Sequence, residues 1–304
     1  MRRRGRIAGA VVVIAIACGI SAMPAAAPAS PAPNLNWTAL LPAMPSPLEP
    51  QPGPVPFCPE GRVSCIRTEI RRLTALRDRL GCDHRAVFAT TYLELTKEFL
   101  RTVEAEPGFF RYPSYLYTED ALFAEVYFNT VDAWERGEPV AGAWRIAFQS
   151  AATGDLNAAQ DMLLGINAHV QNDMPFVLAS LGLRAPDGAS RKGDHDAVNE
   201  VFNRAYQPVV DAVARRYDPN VRLTNSPLTP LDDVAGLEMV RGWRELVWRN
   251  AERLLNARTG AEREAVANQI EANAAAWATS ISGAGLGLPG YRAQRDAYCN
   301  ARDG

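Results

Sequence analysis

Apolar residues recur at helical spacing over most of the chain after Cys65. Ile66, Ile70 and Leu73 begin this pattern, and residues three or four apart lie on the same face of a helix. Alternating segments typical of strands are absent. The pattern predicts helices near 65–80, 84–105, 118–136, 140–152, 156–181, 195–217, 230–257 and 261–281, with a short last helix near 291–299. We therefore predict an all-α fold, a single multi-helix domain of about eight helices over residues 58–304.

Residues 1–27 have the pattern of a secretory signal peptide. Basic residues at Arg2–Arg6 precede an apolar run from Ile7 to Ile20, and small residues follow at Ala25–Ala27. The apolar run has about 14 residues, whereas a membrane span needs roughly 20, and no later segment is long and apolar enough to span a membrane. Cys18, which follows small residues, leaves lipid anchoring as a less favoured alternative. The sequence thus predicts a secreted or cell-envelope protein.

Prolines dominate the segment that follows the predicted signal peptide. Eleven of the 22 prolines lie between Pro24 and Pro56, interleaved with alanine and serine, and no helical or strand period is visible there. Such a composition is typical of an extended linker. We predict a disordered linker over residues 28–57.

The charge balance argues against a nucleic-acid partner. Lys and Arg total 32 against 34 Asp and Glu. Removing the four arginines of the signal peptide leaves 28 basic residues, so the mature chain carries a net charge of about −6. A protein that binds a phosphate backbone needs a basic surface, which this composition does not favour.

Four cysteines remain after cleavage of the signal peptide: Cys58, Cys65, Cys82 and Cys299. An even number in an exported chain predicts two disulfides, with three possible pairings. We favour Cys58–Cys65, which closes a short loop before a helix, and Cys82–Cys299, which attaches the end of the chain to its early part. A cysteine-based zinc site is not favoured, because no C-x-x-C spacing occurs.

The predicted helix from Asp155 to Leu181 places polar residues on an apolar face. His169 and Asp173 lie four residues apart on this face, with Asn172 beside them. Burying a carboxylate costs several kcal/mol unless it is paired or binds a metal. A His–Asp pair at this spacing can ligate one ion or share one proton. Pro175 is expected to free a carbonyl and bend the helix.

A second polar pair opens the apolar face of the helix after Asp194, which we predict to be its N-cap. His195 and Asn199 are four residues apart on that face. His84 begins another helix beside Asp83, so all three histidines of the chain can be placed near one centre.

We predict a metal centre in which His169, Asp173 and His195 bind a divalent ion such as zinc. His169 and Asp173 are the candidate catalytic residues, and hydrolysis by a metal-bound water is the reaction class that suits them. The candidate supporting residues are Asn167, Asn172, Asn199 and His84. The competing hypothesis is a non-catalytic envelope protein that binds an apolar ligand or a protein partner, in which these polar pairs only specify packing.

Two segments resemble the domain-of-unknown-function family 5995, which is found mostly in actinobacteria. They are Leu163–Pro175, reading LLGINAHVQNDMP, and Asp194–Asn199, reading DHDAVN. The resemblance covers about residues 65–280. It implies a helical and often exported protein. The family has no established activity, so the resemblance supports the choice of residues and leaves the chemistry open.

Overall fold

α-Helices account for most of the residues that the structure describes. The structure is a computed structural model, and it describes residues 36, 58–154, 156–224, 231–283 and 291–303. The helices are α1 (Ser64–Leu80), α2 (Arg85–Ala105), α3 (Pro113–Glu135), α4 (Gly142–Thr153), α5 (Ala158–Asn167), α6 (Met174–Leu181), α7 (Lys192–Arg216), α8 (Leu231–Asn256), α9 (Gly260–Gly283) and α10 (Tyr291–Asp303). A π-helical turn, Ala168–Asp173, joins α5 to α6, and a 3₁₀ helix, Pro219–Thr224, follows α7. No strand occurs among these residues, which confirms the all-α prediction.

The predicted signal peptide, Cys18 and the predicted linker, apart from residue 36, lie outside the described residues. Within the described part of the chain, no helix combines the length and the apolar character needed to cross a membrane.

Helix α3 begins at Pro113, five residues before the start expected from the sequence. Proline suits the first turn of a helix, where its missing N–H would have no helical partner. The carboxylate of Asp194 accepts the backbone N–H groups of Arg111 and Tyr112 at 2.8 and 2.7 Å. Asp194 is therefore not the N-cap of its own helix, which begins two residues earlier at Lys192. It stabilises the start of α3 from a distant part of the chain.

The segment α5–π turn–α6 is the centre of the helical packing. It contacts α2, α3, α4, α8 and α9, and every residue from Ala168 to Asp173 is buried. A capping box fixes its start, with Asn157 and Gln160 each bonding the other's backbone N–H. At Gly165 a Cβ atom would lie 2.2 Å from Cγ of Phe88. Only glycine thus allows α5 and α2 to approach this closely.

Both favoured disulfides are present: Cys58–Cys65 and Cys82–Cys299. The second bond attaches α10 to the turn before α2. The loops that the two bonds close differ greatly in length, with sequence separations of 7 and 217. In the chain-entropy description of disulfides, the long loop contributes about 5 kcal/mol to stability and the short one about 2 kcal/mol.

Candidate functional site

The ring of His169 lies inside an enclosure of aromatic side chains. It stacks on Phe123 with the ring centroids 3.4 Å apart and the planes inclined by 6°. Tyr92, Phe88, Tyr127 and Trp144 surround it at centroid distances of 4.9, 5.8, 5.7 and 6.0 Å. Its side chain is 2% exposed. Such a setting shields the imidazole from bulk water and fixes its orientation.

Asp173 holds one nitrogen of this ring. Its Oδ2 atom lies 2.9 Å from Nδ1 of His169 and also accepts the indole N–H of Trp144 at 2.9 Å. Its Oδ1 atom accepts the side-chain amide of Asn172 at 2.8 Å. Because both oxygens of Asp173 accept N–H hydrogen bonds, we assign the shared proton to Nδ1 of a neutral imidazole. The predicted His–Asp pair therefore forms.

The other ring nitrogen, Nε2 of His169, is buried and has no hydrogen-bond partner among the described residues. Burial lowers the pKa of His169, while the neighbouring Asp173 opposes this change. A neutral imidazole with its proton on Nδ1 carries a lone pair on Nε2. This atom can accept a hydrogen bond or a proton from a bound molecule.

His169 also forms part of the wall of an apolar cavity of about 140 Å³. Helices α2, α3, α5, α7 and α8 and the π turn supply the wall. The lining residues are Phe88, Thr91, Tyr92, Leu95, Phe123, Met162, Leu163, Ile166, His169, Val170, Phe202, Ala205, Tyr206, Val209, Val210, Gly236, Leu237 and Val240. The cavity thus brings an apolar volume and the imidazole of a histidine together, and ligand sites combine apolar walls with a few polar groups in this way.

The irregular helix at Pro175 contributes to this geometry. Proline has no N–H to donate to the carbonyl four residues earlier, and the six residues 168–173 before it adopt π-helical geometry. The N–H of Met174 bonds the carbonyl of His169, five residues earlier. The break that the sequence predicted is therefore a wide turn that contains His169 and Asp173, and such turns are frequent at functional sites.

His195 lies apart from the His169–Asp173 pair and has partners of its own. Its Nε2 atom is 3.0 Å from the carbonyl of Arg244, and its ring packs against Trp248. Asn199, the expected supporting residue, accepts the guanidinium of Arg244 at 2.8 Å. These two side chains hold α7 against α8. Burial lowers the pKa of His195 well below its ordinary value, and the charges of Arg244 and Lys192 add to this effect.

His84 is also part of a separate cluster. Its Nδ1 atom lies 2.6 Å from Asp161 and its Nε2 atom 3.2 Å from Asp296 on α10. The three histidines thus have different partners, and the expectation of one common centre was wrong. Among the residues that the structure describes, no three His, Cys, Asp or Glu side chains are placed to share a metal ion. The geometry gives no support to the predicted metal centre.

The remaining candidates have structural contacts. Asn167 donates to the carbonyl of Ala274 at 2.9 Å and accepts from Gln171 at 2.7 Å, so it joins α5 to α9. Asn172 supports the site more directly, since it holds Asp173.

Comparison with known proteins gives one family. The family of unknown function DUF5995 matches residues 66–283, which is more than two thirds of the chain. The chain belongs to this family. Both segments that carried the resemblance, 163–175 and 194–199, lie inside the match. No curated protein and no solved structure gives a significant match.

In this DUF5995 chain, the buried carboxyl groups of Glu69 and Glu119 and the half-buried side chain of Asp120 lie close to the aromatic enclosure, and none of the three was a candidate residue from the sequence. Burial raises the pKa of Glu69 and of Glu119 to about 7. For Asp120, burial and then the neighbouring charges of Glu69 and Glu119 raise the pKa well above its usual range. Acidic residues next to apolar ones on helices α1 and α3 were the only available signal.

The raised pKa of Glu119 predicts a stability that depends on pH. A carboxyl whose pKa is about 7 when folded and 4.5 as its ordinary value favours folding at low pH, and this contribution is lost as pH rises through 7. Arg244 and Arg191 lower this pKa, and Asp194 raises it, but burial is the largest cause. Glu119→Gln should therefore stabilise the protein more at pH 8 than at pH 5, by on the order of 2 kcal/mol.

Urea denaturation of the wild type and Glu119→Gln at the two pH values measures this difference. Glu264→Gln on the exposed face of α9 is the control, since exposed substitutions change stability by less than about 0.5 kcal/mol. An equal effect of Glu119→Gln at pH 5 and pH 8 would contradict the assignment of Glu119 as a protonated buried acid.

Proposed function

We propose that this protein binds a small, mainly apolar molecule that carries one hydrogen-bond donor, in the cavity beside His169. The observation that carries the proposal is that His169, whose buried Nε2 atom has no hydrogen-bond partner among the described residues, lines that cavity. A buried acceptor without a partner costs about 1–3 kcal/mol. A ligand hydroxyl that donates to Nε2 recovers this free energy, whereas water gains little in so apolar a space.

The size of the cavity supports a ligand of about one aromatic ring. A cavity of about 150 Å³ lined by aliphatic and aromatic side chains stays dry and binds benzene, and the cavity here is about 140 Å³. Phe88, Phe123 and Phe202 line it, and aromatic rings pack favourably edge to face or offset. Phenol, which combines one ring with one donor, is thus the simplest molecule that matches both features.

A second candidate function, general-base catalysis, is favoured by the His169–Asp173 pair. In acid–base enzymes a carboxylate fixes the imidazole tautomer, and the free nitrogen takes a proton from a nucleophile or substrate. Asp173 and His169 have this arrangement at 2.9 Å. In this reading the bound molecule, or a water beside it, is the proton donor, and hydrolysis is the reaction class that we propose.

We also propose that the chain is exported. Its basic N-terminus, apolar run and small-residue site support a cleaved signal peptide, and its two disulfides are typical of oxidising compartments.

Export predicts a mature N-terminus near Ala25–Ala29, because the small residues there suit signal peptidase. N-terminal sequencing of the protein recovered from culture supernatant measures this position. Recovery of a lipid-modified Cys18 in the membrane fraction would replace secretion by anchoring, and a chain that retains Met1 in the cytoplasm would contradict export.

The cavity predicts a variant that folds normally but does not bind. Gly236 forms part of the wall, and a Cβ atom added there would meet no atom within 4 Å. Gly236→Leu should fill the cavity and raise or preserve the melting temperature, since glycine inside a helix costs about 1 kcal/mol. Phenol should raise the melting temperature of the wild type and leave that of Gly236→Leu unchanged.

The matched control is Gly193→Leu, which also lies in a helix with open space around the added Cβ but is exposed and outside the cavity. It should respond to phenol as the wild type does. A wild-type protein that responds to neither phenol nor benzene would overturn the proposed function, and so would an unchanged response in Gly236→Leu.

A further inference from the structure

Two side chains other than His169 donate hydrogen bonds to the carboxylate of Asp173. The indole N–H of Trp144 donates to Oδ2 at 2.9 Å, and the side-chain amide of Asn172 donates to Oδ1 at 2.8 Å. Trp144 belongs to α4, and Asn172 belongs to the π turn. All three side chains are buried. The two donors therefore take the place of water at this carboxylate.

Asp173 controls how readily the ring of His169 takes up a second proton. Burial lowers the pKa of His169, and Asp173 opposes this change through its hydrogen bond and its charge. Among the described residues, Asp173 is the charged group that acts on this pKa. Tyr92 on α2 and Tyr127 on α3 also pack against the ring. Burial raises the pKa of both tyrosines, so both remain neutral.

Each donor to Asp173 weakens the attraction of its carboxylate for a proton on His169. A hydrogen bond to a carboxylate favours its charged form and reduces its need for a positive partner. Without Trp144 or Asn172, more of the negative charge would act on the imidazole and would favour the imidazolium. An imidazolium donates from both nitrogens and accepts at neither. The acceptor at Nε2 would then be lost.

We propose that Trp144 and Asn172 are positioning residues that set the pH range in which His169 can accept a hydrogen bond from a ligand. With both donors on Asp173, the imidazole stays neutral to a lower pH. Neither residue lines the cavity of about 140 Å³, so their effect on a ligand must pass through His169. The part of the inference that concerns binding rests on the proposed function, whereas the part that concerns the charge of the ring does not.

The first test follows the charge of the His169 ring by nitrogen NMR, in the full mature protein, from pH 8 to about pH 4. Trp144→Phe removes the indole N–H and retains an aromatic ring. Asn172→Leu removes the amide at a similar volume. Each variant should form the imidazolium at a pH about half a unit or more above the wild-type value, since a hydrogen bond to a charged group contributes about one pKa unit or more and the ion pair retains part of it.

The matched control is Trp243→Phe. Trp243 is also buried, and its indole N–H has no hydrogen-bond partner in the described part of the chain. It does not line the cavity beside His169. The control removes the same atoms as Trp144→Phe without breaking a hydrogen bond. The titration of His169 should therefore remain as in the wild type.

The second test compares the binding of pyrrole and furan, which share a five-membered ring. Pyrrole offers an N–H donor, and furan has an oxygen acceptor in its place. The wild type should prefer pyrrole while His169 is neutral and should lose this preference as pH falls and Nε2 gains a proton. In Trp144→Phe and Asn172→Leu the preference should be lost at the higher pH found for the ring, and in Trp243→Phe at the wild-type pH.

The outcomes separate this inference from the proposed function. Equal titration of His169 in the wild type and in both variants would overturn the inference, and so would a ring that stays neutral to about pH 4 in all three. Asn172→Leu decides the same point if Trp144→Phe does not fold. A preference for pyrrole that does not follow the charge of the ring would overturn the role in binding. A shifted titration without binding of pyrrole or furan at any pH would support the positioning role and overturn the proposed function.

Discussion

The π turn Ala168–Asp173 carries polar side chains in the middle of a buried helical segment, and the rest of the fold must satisfy them. The segment α5–π turn–α6 contacts five other helices, so the side chains of its π turn have no access to bulk water. Asp173 can occupy this position because three N–H groups, from His169, Asn172 and Trp144, donate to its two oxygens. Two of these donors belong to the π turn itself. The third is the indole N–H of Trp144, so α4 must be placed to supply it.

One atom of this network remains without a partner. Nε2 of His169 has none in the described residues, and the ring that carries it forms part of the wall of an apolar cavity. Buried polar atoms in native proteins are nearly always satisfied, and exceptions often mark binding or catalysis. This combination of an unpartnered atom and an adjoining apolar space is the main support for the proposed function.

Local patterns of the sequence predicted most of the helices, because apolar periodicity is a property of each helix alone. The His169–Asp173 pair followed from a spacing of four residues on one face.

The common centre predicted for His84, His169 and His195 did not form, since the packing of whole helices decides which faces meet. His195 contacts the backbone of α8, and His84 contacts a carboxylate of α10, and both contacts join residues far apart in the sequence. The aromatic enclosure was visible in part, because Phe88 with Tyr92 and Phe123 with Tyr127 are pairs at i and i+4. The carboxyl groups of Glu69, Glu119 and Asp120 come from two helices, and the acidic residues beside apolar ones on each helix did not indicate that they meet.

The nitrogen NMR spectrum of His169 tests the account most directly, since it reports the protonation of each ring atom. Protein labelled with ¹⁵N at histidine, with His169 assigned from a His169→Gln variant, is measured at neutral pH with and without phenol. We expect a neutral ring, protonated on Nδ1 and unprotonated on Nε2, and a change of the Nε2 resonance toward the hydrogen-bonded position when phenol is added. A proton on Nε2, a charged imidazolium, or an Nε2 resonance that phenol leaves unchanged would contradict the account.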